Sequence, residues 1–365
     1  MRSISAIDAV SPAIERTKEF LFRPFKWGTY LKLGLVAIIT EGLGSNFHSS
    51  STHVDHGGGN GEWHGPAGFP PFHCTPACIA VIVAIALVAI LLSIFLFYLI
   101  TRLRFAFFHC LVSNTKEIKP GWRLYRGQAA RFFWLNIVVG ICFMVLVVLL
   151  AIPFAAGFWR LFQESQQGSQ FNIGLLLGLV LPLIPIIILL VVACILSDLI
   201  LRDWMMPHMA LENATAGEAW RQVRARMSAE KRQFLVYGLL RVILPAIAAM
   251  GAFIVLAIPG LMLAGCLAAI EWGVHSMFSG ATGSSWLVGI LLEVFFGVVA
   301  FGFALFVSIC VGGPLSTGLR EYALIFYGGR YKALGDILYP PPAIVPPNTL
   351  PDMLLPQKPP MRFIP

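Results

Sequence analysis

Five of the chain's eight histidines, His48, His53, His56, His64 and His73, fall in one stretch, 44–76, together with Asp55, Glu62 and Cys74 and with Cys78 just beyond it. Imidazole and thiolate suit zinc or copper, and His53-x-x-His56 offers two ligands on one short segment. A transition-metal site here would draw on His53, His56, His64, His73, Cys74 and Cys78. The same stretch is rich in Gly and Ser, so ordering it around an ion costs chain entropy, and its spacing is irregular. The competing reading is a plain hydrophilic connector with no cofactor. Cys74 and Cys78 bracket Thr75-Pro76, which reads as an N-cap and the first position of a helix, and in an oxidising compartment they could close a small disulfide. The other five cysteines are scattered through apolar sequence and read as packing residues.

A second set of candidates consists of charges set within apolar runs: Arg241, Glu293, Asp198 and Glu41. An ionisable residue in such a run is expensive and therefore a functional candidate by default. Arg241 lies about two turns from one end of its run and Glu293 about two turns from the opposite end, so the two are not expected to pair. Arg241 either reaches back to phosphate or meets Asp198. Glu293 either faces a water-filled cavity or accepts from a neighbouring hydroxyl. Other catalytic signatures are missing: no phosphate-binding Gly-x-x-x-x-Gly-Lys, no His-Glu-x-x-His and no Gly-x-Ser-x-Gly occur.

The elements that must position these residues follow from composition. The 365 residues are 58% hydrophobic and only 12% charged, against about 45–50% and about 25% in soluble domains. That little charge cannot coat a soluble globule, and the expected fold class is an all-α integral membrane protein. Roughly 20 apolar residues cross about 30 Å of hydrocarbon. Ala77–Ile100, Phe132–Ile152, Ile173–Ser197 and Trp286–Val311 pass almost without charge, Phe234–Ile258 passes with Arg241, and Trp27–Phe47 is marginal with Lys32 and Glu41. The expectation is six spans forming one membrane domain, 1–335, with a Pro-rich disordered tail over 336–365. Prolines 182, 185, 245 and 259 are expected to interrupt spans four and five.

Of the 26 Lys and Arg, 24 lie in Met1–Lys32, Thr101–Arg131, Leu201–Arg232 and Gly312–Pro365. The positive-inside rule then puts both termini and the two internal basic loops on the cytoplasmic side. The net charge of +8 faces anionic lipid headgroups, which are the expected partners; nucleic acid is not.

The two internal basic loops align at an offset of 98–100 residues. His109 falls on His208, Asn114 on Asn213, Trp122-Arg123 on Trp220-Arg221 and Arg102 on Arg202, while Leu319-Arg320-Glu321-Tyr322 echoes Leu201-Arg202-Asp203-Trp204. The expected unit is a cytoplasmic amphipathic helix followed by an up-and-down pair of spans, used three times. Ser11-Pro12 is expected to open the first lead-in helix, and Thr215 with Glu218 to form a capping box on the third. Trp220, Val223 and Met227 share one face of that third helix. Such helices either lie in the headgroup plane or pack as connectors under the bundle.

The run Pro207-His-Met-Ala-Leu-Glu-Asn-Ala-Thr-Ala-Gly-Glu-Ala-Trp-Arg, with Lys119-Pro-Gly-Trp-Arg-Leu-Tyr-Arg-Gly before it, resembles the six-span membrane domain attached to some glycerophosphodiester phosphodiesterases, and its stand-alone uncharacterised bacterial relatives. The resemblance covers most of residues 1–335. It implies a fold and a bacterial plasma membrane but no activity, because catalysis in that family resides in a separate barrel. The expected function is therefore a scaffold or accessory in envelope or lipid processes, not an enzyme. The alternative is a transporter or channel using the charges within the spans, with an intramembrane enzyme third.

Overall fold

A computed structural model describes residues 4–42, 76–166, 173–278 and 284–339. Among these residues the chain is helical and contains no strand. Three short helices each precede a pair of longer segments. Helix α1 (Val10–Phe22) leads into α2 (Trp27–Ala37), which continues as a π-helical turn, Ile38–Gly42, and then into α3 (Pro76–Val112). Helix α4 (Ile118–Leu124) precedes α5 (Arg126–Gln166) and α6 (Ile173–Leu199). A second π segment, Ile200–Met205, joins α6 to α7 (Met206–Leu211). Helix α8 (Ala216–Ala229) precedes α9 (Lys231–Phe278) and α10 (Ser284–Gly328), and α11 (Lys332–Leu338) closes the described chain.

Among the described residues, five helical stretches are long and apolar enough to cross a membrane: Cys78–Val112, Arg126–Gln163, Leu176–Leu211, Lys231–Met277 and Val288–Gly328. The first expected span appears only as its 27–42 portion, and the rest of it lies outside the described residues. The long helices exceed what hydrocarbon requires. At about 1.5 Å per residue, the 48 residues of α9 are more than twice as long as a 30 Å slab needs. Each long helix therefore has two jobs along its length. Few or none of the residues in its most apolar window are buried within the chain, as suits a lipid-facing segment, and its remainder builds a packed end.

That packed end is the core. Residues 201–210 and 320–328 are buried without a break, so these two portions are enclosed on every side. Aromatic rings join them: Trp204 meets Phe234 edge-on at 4.8 Å, and Tyr237 stacks on Phe326 at 4.4 Å and on Tyr322 at 5.0 Å. Helix α2 crosses α10 where Gly34 faces Gly313. A Cβ on Gly313 would lie 2.7 Å from the Gly34 Cα, so only glycine permits this approach.

The lead-in helices pack against this core. Helix α1 buries Ala13, Thr17, Phe20 and Leu21, and α8 buries Ala219 and Val223. Met227 packs against the same core, while Trp220 stays 40% exposed. The capping box on α8 is present, with Thr215 accepting from the Glu218 backbone N–H and the Glu218 side chain accepting from the Thr215 backbone N–H. The first helix differs from expectation. Ser11 is inside α1 and does not cap it, because the chain already turns at Ser5, whose hydroxyl bonds Asp8. Pro12 is tolerated there because first-turn N–H groups have no helical acceptor.

The prolines do not interrupt the spans. Helix α6 runs through Pro182 and Pro185, and α9 through Pro245 and Pro259. Each proline removes only one hydrogen bond from a long ladder. Helix α11 carries the packed chain past 335, because Leu334 and Leu338, one turn apart, are both buried. The Pro-rich run from 340 lies outside the described residues. Asn114 and Asn213 stand two residues past the ends of α3 and α7, both left-handed at φ 50° and 52°. Asparagine is among the few side chains that accept that helix-ending conformation.

Candidate functional site

Four arginines come from four different helices at nearly one depth. Arg104 lies eight residues before the end of α3, Arg202 nine before the end of α7, and Arg320 eight before the end of α10, while Arg241 lies ten after the start of α9. At 1.5 Å per residue each sits about 12–15 Å from its own helix end. All four are buried, as are Glu41 and Asp203.

Two carboxylates hold this ring together. Glu41 Oε2 lies 3.0 Å from Arg202 Nη2 and 3.1 Å from Arg241 Nη2. Asp203 Oδ2 accepts from the Tyr237 hydroxyl at 2.8 Å and lies 3.2 Å from Arg241 Nε, while its Oδ1 takes Arg320 Nη1 at 3.0 Å. Arg241 thus forks across both acids, using Nε on one and Nη2 on the other, a planar two-pronged geometry that lysine cannot reproduce. Arg320 also donates to the Arg202 backbone carbonyl at 3.0 Å, and Arg104 Nε to the Thr40 carbonyl at 2.9 Å.

Both acceptor carbonyls belong to π-helical turns. The wider turn shifts side-chain register and disturbs the regular i to i−4 pairing, which explains why guanidinium groups from other helices reach those carbonyls. The same shift brings neighbouring Arg202 and Asp203 into one buried network. Asp198 sits at the rim, 37% exposed and 3.6 Å from Arg202 Nη1. Within the ring, Arg241 Nη1 has no hydrogen-bond partner among the described residues, and Arg202 Nη1 and Nε reach only as far as ion-pair distance, to Asp198 Oδ2 at 3.6 Å and Asp203 Oδ1 at 3.8 Å.

Two smaller polar groups flank the ring. Glu321 pairs with Arg16 of α1 at 3.1 Å. His208 is buried, with Nε2 facing both the Tyr327 hydroxyl at 2.7 Å and Arg226 Nη1 at 3.0 Å. Arginine only donates, so Nε2 is the accepting nitrogen and the imidazole proton sits on Nδ1, toward Glu212. Glu212, on the loop after α7, is partly desolvated, yet the hydrogen bond it accepts from Gln222 at 3.1 Å and the His208 Nδ1 edge 3.5 Å away hold it below the ordinary carboxylate range.

The sequence candidates separate into three fates. Arg241 does not meet Asp198; its partners are Glu41 and Asp203, and Asp198 instead pairs with Arg202 one turn along its own helix. Glu293 pairs with His275 Nδ1 at 2.9 Å, far along the bundle from the ring and at an exposed position. His53, His56, His64, His73 and Cys74 lie outside the described residues, and Cys78 is at the start of α3. Sequence reasoning missed Asp203, Arg104 and Tyr237 as members of one site. A signal existed: these charges fall at matching distances from the loops at one end of the bundle, whereas depth was measured along single spans.

Comparison with known proteins adds one finding. Residues 4–337 match the family of unknown function DUF7544. The chain belongs to this family. No curated protein and no solved structure matches it.

Proposed function

We propose that this DUF7544 member is a non-enzymatic multi-pass protein of the bacterial plasma membrane. It has six spans in three repeated hairpin units, with both termini cytoplasmic, and acts as a scaffold or accessory in envelope or lipid processes. The observation that carries this reading is the buried cluster of Arg202, Arg241 and Arg320 around Glu41 and Asp203, with Arg104 bonded to the Thr40 carbonyl one residue from Glu41. It ties together helices from all three hairpin pairs, spending its charges mostly on one another. Such a network holds helices in register at the basic end while leaving the apolar windows to lipid. The transport alternative rests on the repeats, the prolines within the spans and the charges Arg241 and Glu293, which belong to separate ion pairs.

Two measurements test it. Single cysteines placed near Gly59 and Ser279 should react with an impermeant reagent from outside intact cells, while those near Lys119 and Ala229 should react only after permeabilisation. Labelling of the Gly59 site from inside would overturn the topology. Solute flux by the parent protein in liposomes, abolished by Glu41→Gln, would replace the scaffold reading with transport.

A further inference from the structure

The arginine ring holds more positive charge and more donors than its acids can satisfy. Arg202, Arg241 and Arg320 pair with Glu41, Asp203 and the half-exposed Asp198, and a fourth buried guanidinium, Arg104, adds its charge from beside the Thr40 carbonyl. The acceptors are already shared: Glu41 Oε2 serves both Arg202 and Arg241, and both oxygens of Asp203 are occupied. Yet Arg241 Nη1, on a side chain more than nine-tenths buried, lacks a hydrogen-bond partner among the described residues, and Arg202 Nη1 and Nε, equally buried, reach carboxylate oxygens only at 3.6 and 3.8 Å, beyond hydrogen-bond distance. A buried charge without full compensation is costly, and the group that best satisfies several guanidinium edges at once is a tetrahedral oxyanion.

What lies beside the ring narrows the anion. Bare apolar surface starts within two turns of each of three arginines, at Leu99 before Arg104, Ile195 and Leu196 before Arg202, and Val242 and Ile243 after Arg241. The span windows beyond have little or no burial within the chain. Fixed positive charge flanked by exposed apolar helix faces of hydrocarbon length is complementary to an amphiphile with an anionic head. We infer that the ring binds the phosphodiester of an anionic phospholipid, the unsatisfied edges of Arg202 and Arg241 donating to its oxygens and its acyl chains lying along the bare windows of α3, α6 and α9. This rests on the membrane reading above. Topology labelling tests that reading separately, so failure of lipid binding alone leaves it standing.

The experiment uses the full chain, purified in an uncharged detergent and delipidated, with binding read by native mass spectrometry and thermal melting. The probes are dioleoyl phosphatidylglycerol, dioleoyl phosphatidylcholine and inorganic phosphate. Phosphatidylglycerol should bind at one per chain and raise the melting temperature, at least tenfold more tightly than phosphatidylcholine. Arg241→Lys, which keeps the charge but removes the fork, should weaken that binding at least tenfold. Glu41→Gln removes a competing acceptor, so it should tighten phosphatidylglycerol binding even as it lowers the melting temperature of the lipid-free protein. A network closed on itself would lose stability in Glu41→Gln without gaining affinity, and that result overturns the proposal even if Arg241→Lys fails to fold. Equal binding of the two lipids, or protection by inorganic phosphate alone, overturns it as well.

Discussion

Asp203→Asn is the sharpest test of what the ring does for the fold. The carboxylate is fully enclosed and meets Arg320 Nη1 at 3.0 Å, Arg241 Nε at 3.2 Å and the Tyr237 hydroxyl at 2.8 Å. At an effective dielectric of about 20, each guanidinium attraction is roughly 5 kcal/mol before desolvation is charged against it. The amide keeps the shape but loses the charge, leaving two buried arginines short of a counter-ion. Removing one partner of a buried pair costs about 3–5 kcal/mol. With about 2.1 cal/mol/K of unfolding entropy per residue, a chain of this size shifts by roughly 1.3 °C per kcal/mol, so the melting temperature in detergent should fall by on the order of 4–7 °C. Asp198→Asn is the matched control, since its pair is half-exposed and 3.6 Å long, and exposed pairs contribute about 0–1 kcal/mol. Arg320→Gln should cost less in the Asp203→Asn background than alone, because the two side chains share one interaction. If Asp203→Asn melts within about 3 °C of the parent, or no lower than Asp198→Asn, the ring does not hold the helices and the scaffold argument fails.

Three further outcomes follow from particular contacts. Gly313→Ala places a methyl group 2.7 Å from the Gly34 Cα, so α2 and α10 must part at a cost of about 1–3 kcal/mol, read as a lower melting temperature; Gly178→Ala, with open space around it, should change stability by less than about 1 kcal/mol. His275→Ala breaks an exposed pair with Glu293 and should cost no more than about 1 kcal/mol, and a loss as large as that of Asp203→Asn would show Glu293 to be structurally central. The Glu218 carboxylate is held below its ordinary value of 4.5 by the Thr215 backbone N–H and hydroxyl. A depressed carboxylate contributes stability that is present above its unfolded pKa and is lost as pH falls through its folded pKa. Amide exchange in the first turn of α8 should therefore show more opening, after correction for intrinsic rates, below about pH 4 than at pH 7 in the parent, and little such difference in Glu218→Gln.

Hydrophobicity is a property of contiguous residues, and wherever it alone decided an element the sequence was sufficient. The apolar windows, the start of α3 at Pro76 and the Thr215–Glu218 cap all depend on neighbours within a few positions. Local pattern also distinguished Asn114 and Asn213, whose matched places after two helices share one left-handed geometry. The continuity of α6 and α9 through their prolines was not legible in this way, because what a proline does depends on the ladder and neighbours around it. Nor was the ring. Glu41 and Arg241 are 200 positions apart, and depth along one span says nothing about which face of another span it meets. Their meeting depends on two π-helical turns that reset side-chain register, on a glycine crossing that brings α2 against α10, and on helices that run well past the hydrocarbon to pack at one end. Charge type and approximate depth were written in the sequence; partner choice was decided by tertiary packing, because a buried charge takes whichever counter-charge the assembled helices place within about 4 Å of it.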